Sequence, residues 1–172
     1  FDLFLPPPGT PAKPLLVVWV HGGGFVAGDK SSVANWLSVL AGRGYPVVSV
    51  EYTRGASRAY PLPVRQVNAA LAHLDAQARQ LGIGPSAIAL GGDSAGAHIA
   101  SQLALSITSP AYARALGVDP TVAPDRLKAM LLTSGIYALP DLSSGGLIGT
   151  FLRAAFHGYT GKADPAQVKG IE

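Results

Sequence analysis

Four short runs that are apolar on both faces alternate with stretches of helical periodicity along this chain. The runs are "LLVVWV" (Leu15–Val20), "PVVSVEY" (Pro46–Tyr52), "AIALGG" (Ala87–Gly92) and "LKAMLLTSG" (Leu127–Gly135), each followed by turn residues. Continuous apolar runs of this length predict strands buried under helices on either side, and the β-branched residues of the first two favour strand over helix. Between the second and third, Val64, Val67, Leu71, Leu74, Ala78 and Leu81 recur at steps of three and four, predicting a helix with one apolar stripe that stops near Gly82. A shorter helix is expected over Ser32–Ala41, ending at Gly42, and another from just after Ser94 to about Ile107, halted by Pro110. The order strand, helix, strand, helix, strand, helix, strand predicts an α/β fold, a mostly parallel sheet with right-handed crossovers and helices on both faces. "FDLFLPPP" at the start alternates briefly before its prolines and reads as an edge strand. After Tyr137 the regularity fades into "ALPDLSSGGLIGT" and a weakly helical "FLRAAFHGY". The expected division is therefore a core over residues 1–136 and a cap or linker segment over 137–172, with no internal repeat.

Composition changes this picture little. The 172 residues make one domain, and the absence of cysteine removes disulfides and a thiol nucleophile from consideration. Thirteen basic and ten acidic residues are scattered without a basic cluster, which argues against a nucleic-acid face. No apolar run approaches the roughly 18 residues of a membrane span, and the first residues lack the pattern of a secretory signal. The chain reads as soluble; its compartment stays open, with the cytoplasm favoured. Charged residues are only 13% of the chain, which suggests much buried surface or missing peripheral elements.

Two glycine-rich stretches carry the chemistry. Gly92, Ser94 and Gly96 in "LGGDSAGAHIA" satisfy G-x-S-x-G between a predicted strand and a predicted helix. On so sharp a turn the serine takes a strained backbone, flanking side chains would collide, and the hydroxyl is lifted above the C-terminal edge of the sheet. A glycine-rich turn with a serine helix cap is the simpler alternative. "HGGGF", His21–Phe25, follows the first strand directly. It lacks the G-K-[ST] of a phosphate loop. An oxyanion hole fits better, with N–H groups of Gly22, Gly23 and Gly24 turned inward to meet that of Ala95, and with His21, Asp93, Gly92 and Gly96 in support.

Together, "KPLLVVWVHGGGFVAGDKSS", "VVSVEYTRGASRAYPLPVRQVNAAL", "LGGDSAGAHIASQLAL" and "LLTSGIYAL" resemble the hormone-sensitive-lipase-like carboxylesterases of the α/β-hydrolase superfamily. The resemblance implies an incomplete N-terminal portion of that fold, with Ser94 as nucleophile and small carboxylic esters cleaved through an acyl-enzyme. It implies no cofactor and no metal. Amide or formamide hydrolysis with the same machinery is an alternative, because "SAGAH" also resembles formamidase elbows. A binding scaffold without acid and base is another.

The base is the missing part. A serine hydroxyl needs a base and an orienting carboxylate, in this fold in the chain order Ser, Asp or Glu, His. Of four histidines, His21 belongs to the glycine loop, His73 lies beside the helical stripe, and His98 sits one turn below Ser94, pointing away from it. His157 with Asp141 obeys the order but falls in the cap-like segment. Asp93 adjoins the serine and is read as bracing the elbow, Asp164 as part of the linker out of the cap, and Glu51 as local. The expectation is therefore that the acid and base are carried by a companion C-terminal segment or chain, against which this chain buries an apolar surface.

Overall fold

The computed structural model describes residues 1–55, 60–84, 87–135, 137 and 145–162. Its sheet contains β1 (Asp2–Phe4), β2 (Leu15–Val20), β3 (Val47–Val50), β4 (Ala87–Asp93) and β5 (Leu127–Thr133), in the order β1-β3-β2-β4-β5. The short β1 runs antiparallel to β3, and the other neighbours are parallel. Each predicted run forms a strand, and the leading segment is an edge strand.

Helices cover both faces of the sheet. α2 (Leu62–Ala76) and α3 (Ala95–Thr108) bury Val64, Val67, Leu71, Ile99 and Leu103 against Leu16, Val18, Val20, Val48 and Leu90. α1 (Ala34–Gly42) buries Leu37 and Ala41 against Val17, Trp19, Val47 and Ala89. Even and odd residues of β2 thus enter opposite cores, as the two-residue pleat of a strand requires. This is why its sequence is apolar without alternation.

Several boundaries differ from the sequence reading. The first helix opens as a 3-10 turn over Lys30–Val33, capped by the Asp29 carboxylate, which accepts from Ser31 N at 2.7 Å. α2 ends at Ala76, and the rest of the predicted stripe runs through turns to Gly82, whose φ of +67° ends the segment. Pro110 does halt α3, but it also starts α4 (Pro110–Leu116), where Ser109 caps by accepting from Tyr112 N at 3.3 Å. A proline at the first helical position loses no hydrogen bond, so one residue ends one helix and begins the next. The weakly helical tail is a full helix, α5 (Gly146–Thr160).

The largest difference concerns β5. It was expected to be buried on both faces, yet its successive residues Leu131 and Leu132, which point to opposite faces, are 40% and 37% exposed. β4 pairs with one of its edges, and among the described residues no strand pairs with the other. No helix of the described residues is long and apolar enough to cross a membrane.

Candidate active site

Strand register assembles the site. β2 and β4 pair with Val20 opposite Gly92, so the residues that follow, His21 on one strand and Asp93 and Ser94 on the other, emerge side by side at the C-terminal edge. β5 continues the row with Thr133 beside Asp93, and the Thr133 carbonyl accepts from Ser94 N at 2.8 Å.

Ser94 has φ 50° and ψ −117°, a conformation that costs a residue with a Cβ about 1–3 kcal/mol, and its side chain makes no capping hydrogen bond to α3. A helix cap would have extended backbone and a bonded oxygen. Neither is present, so the simpler alternative lacks its geometry. The flanking glycines are required by space. A Cβ at Gly92 would lie 2.5–2.7 Å from the backbone of Gly96 and Ala97. One at Gly96 would overlap the Val20 carbonyl oxygen and lie 2.5 Å from that of His21.

The glycine loop is equally constrained. Gly23, Gly24 and Phe25 all have positive φ, +116°, +59° and +64°, and a Cβ at Gly23 would overlap the Ala27 carbonyl. Three such residues in succession turn the chain back on itself. Asp93 then ties the loop to the elbow: its Oδ1 accepts from Gly22 N at 3.2 Å and from Trp19 Nε1 at 3.1 Å. This corrects the expectation for Gly22, whose N–H is donated to Asp93 and is not free for an oxyanion. Gly23, Gly24 and Ala95 remain as candidates, the last at the first position of a helix, where an N–H has no partner within the helix.

Asp93 therefore braces both glycine motifs across 71 residues of chain. Replacing it with alanine leaves two donors without an acceptor and is expected to cost about 1–3 kcal/mol in urea denaturation. Asp93→Asn keeps an acceptor oxygen and should lose less.

None of the four histidines is placed as a base. His21 is fully buried; its Nδ1 donates to the Gly22 carbonyl at 2.7 Å, and Nε2 lies 3.1 Å from Glu51 Oε1. Its ring stacks on Tyr52 at 4.4 Å. Burial first, then the Asp93 charge, pushes the Tyr52 hydroxyl well above the usual tyrosine range, so it stays protonated and donates to the His21 carbonyl at 3.1 Å. Glu51 Oε2 accepts from Lys30 N at 3.1 Å, so its two carboxylate oxygens meet residues 21 and 30 positions away, where the sequence reading expected a local role. His98 packs edge-on against Phe25 and Tyr159. His73 is exposed and its ring lies 5.7 Å from that of Phe1, and His157 is exposed on α5. Asp141 and Asp164 lie outside the described residues.

Sequence reasoning missed the part played by α5. It packs along the glycine loop, with Tyr159 stacked on Phe25 at 4.0 Å and its hydroxyl donating to Gln102 Oε1 at 3.0 Å. The small residues on one side of "FLRAAFHGY", Ala155 and Gly158, were the signal for a close approach.

Comparison with known proteins agrees with the fold. A family model described as BD-FAE matches residues 1–131. Among solved structures, a bacterial heroin esterase superposes with a TM-score of 0.70 at 28% identity, over 92% of this chain and 49% of its own. Esterase B from Lactobacillus rhamnosis gives 0.73 at 21%, over 88% and 47%. Carboxyl esterase 2 from the mycorrhizal fungus Tuber melanosporum gives 0.68 at 24%, over 94% and 50%. The last two speak to the fold alone. The chain spans about half the length of each.

Proposed function

Since the chain belongs to the BD-FAE family and has the α/β-hydrolase fold, we propose that it is the nucleophile-bearing part of a serine hydrolase that cleaves small carboxylic esters through an acyl-enzyme on Ser94. The observation that carries this is the backbone of Ser94, held at φ 50° with no capping bond, beside a loop of positive-φ residues tied to it by Asp93. Strain of this kind persists where the surrounding structure fixes it and the hydroxyl is put to use.

In this reading Ser94 Oγ attacks the ester carbonyl carbon as a base takes its proton. The carbonyl oxygen becomes an oxyanion, which accepts from Gly23, Gly24 and Ala95 N–H. The tetrahedral intermediate collapses, the alkoxide leaves with the proton held by the base, and water repeats the sequence on the acyl-enzyme to release the acid. No step calls on a metal or cofactor. An amide differs only in its leaving group.

The base and its carboxylate come from further polypeptide carrying an Asp and a His. Two observations support this: the described histidines are committed elsewhere or exposed, and among the described residues one edge of β5 has no partner strand, with apolar residues on both faces. A parallel strand is ordinarily covered on both faces, so β5 is the place where that polypeptide would dock.

A fluorophosphonate probe tests the assignment. The peptide containing Ser94 should gain the phosphonyl mass, and Ser94→Ala should prevent it. With the further polypeptide bound, hydrolysis with labelling elsewhere would refute Ser94, and an assembly that neither labels nor hydrolyses would favour the scaffold.

A further inference from the structure

Two acceptors face the two nitrogens of one buried ring. His21 is fully buried, with Nδ1 2.7 Å from the Gly22 carbonyl oxygen and Nε2 3.1 Å from Glu51 Oε1. A carbonyl and a carboxylate accept and do not donate, whereas a neutral imidazole has one N–H and one lone pair. A neutral ring would therefore set its lone pair against one of the two oxygens. Both contacts are satisfied together only when each nitrogen carries a hydrogen. The hydrogen shared with Glu51 belongs to the ring, because the carboxylate also accepts from Lys30 N at 3.1 Å and has Arg54 Nη2 3.8 Å away.

A buried imidazolium is costly unless its surroundings compensate it. Here Glu51 opposes the charge, the Gly22 carbonyl takes the second N–H, and the Tyr52 ring lies nearly parallel at 4.4 Å, offering an aromatic face to a cation. Tyr52 adds no charge of its own, since burial keeps its hydroxyl protonated. Asp93, which accepts from Gly22 N at 3.2 Å, is a further anion at this loop.

The ring reaches the site through one peptide unit. The Gly22 carbonyl oxygen and the Gly23 N–H belong to the same trans peptide and point in opposite directions. The oxygen is held on the buried ring and walled in by Gly28, where a Cβ would lie 2.5 Å from it. The Gly23 N–H is thereby turned away from the core. A cation on the carbonyl also polarises the amide, which makes its N–H a stronger donor. Asp93 acts in the opposite sense, because its negative charge beside the loop disfavours an oxyanion there, and the imidazolium offsets it.

We propose that Glu51 keeps His21 as a buried imidazolium, and that this ring, acting through the peptide between Gly22 and Gly23, orients and strengthens the Gly23 N–H as an oxyanion donor. The inference rests on the serine-hydrolase reading. Glu51 and His21 are positioning residues: neither touches the ester, and neither gains or loses a proton as it reacts.

The charge and its effect are measured separately. In protein carrying nitrogen-15-labelled histidine, the His21 ring should show a hydrogen on both nitrogens at neutral pH. Glu51→Gln, whose amide can donate to Nε2, should leave a hydrogen on Nδ1 alone. In the form of the protein that hydrolyses p-nitrophenyl acetate, Glu51→Gln should lower kcat about tenfold with KM within about twofold, because the oxyanion exists only beyond the ground state. That is less than the ~10²–10³ lost when an oxyanion donor is removed outright. A merely structural Glu51 predicts a lower urea midpoint with kcat of the folded fraction unchanged. A single ring hydrogen in the parent protein would overturn the proposal, whether or not the variant folds. So would a ring still doubly protonated in Glu51→Gln, a neutral ring there at unchanged kcat, or a loss confined to KM. Absence of Ser94-dependent hydrolysis would sink the serine-hydrolase reading and the oxyanion role with it; the hydrogen count on the ring is read without turnover, so the two failures are distinct.

Discussion

Replacing Ser94 by alanine is expected to lower ester turnover by about 10⁴-fold or more while leaving stability unchanged. Only Oγ is removed. It makes no capping bond, so the helix loses no partner, and alanine at φ 50° bears the same strain as serine. A cap would behave in the opposite way: its removal costs about 1 kcal/mol of stability and leaves chemistry alone. Ser94→Gly sharpens the contrast. Without a Cβ the left-handed conformation carries no steric penalty, and even after the extra chain entropy of glycine the fold should gain about 1 kcal/mol. Turnover should fall as far as in the alanine variant. Urea denaturation and initial rates on the same three proteins measure both effects. Equal stability of the glycine and serine proteins would mean that the elbow is not strained, and turnover surviving in both variants would remove Ser94 from the chemistry.

Much of the scaffold is legible in the sequence because its determinants are local. Apolar runs without alternation read as strands covered on both faces, and in β2 the even and odd residues do enter separate cores. Gly92 and Gly96 announce the elbow because the clashes they avoid are with residues of the same motif or of the strand beside it. Other features depend on distant partners. Gly22 reads like its two neighbours in "HGGGF", and only Asp93, 71 positions away, distinguishes it by taking its N–H. β5 reads as a central strand, but whether its faces are covered depends on polypeptide other than itself, which its own residues cannot announce. α4 was overlooked for a different reason. Ser109-Pro110 is a cap followed by a first-turn proline, and the stop signal for one helix masked the start signal for the next.

Gly96→Ala is expected to destabilise the fold by about 3 kcal/mol, the upper end of what overpacking usually costs. Helix propensity alone predicts the reverse, since Gly96 lies inside α3, where alanine is favoured by about 1 kcal/mol. The sign is decided by what the new methyl meets. It would overlap the Val20 carbonyl oxygen and approach that of His21 to 2.5 Å, and both belong to backbone at the end of a central strand. No side chain can rotate away, so α3 must lift from β2 or the chain must unfold. Lifting α3 moves the Ala95 N–H and Ser94 away from the glycine loop, so the fraction that stays folded should also lose turnover. Gly42→Ala is the control. It lies at the end of α1 with nothing within 4 Å of its Cβ position and no positive φ, so alanine there should leave stability level or raise it by up to about 1 kcal/mol. Urea midpoints that fall for Gly96→Ala and hold or rise for Gly42→Ala would locate the constraint at the crossing of α3 over β2. A Gly96→Ala protein as stable as its parent would mean that α3 does not sit on the strand as closely as the elbow geometry requires, and the alignment of Ser94 with the glycine loop would need another cause.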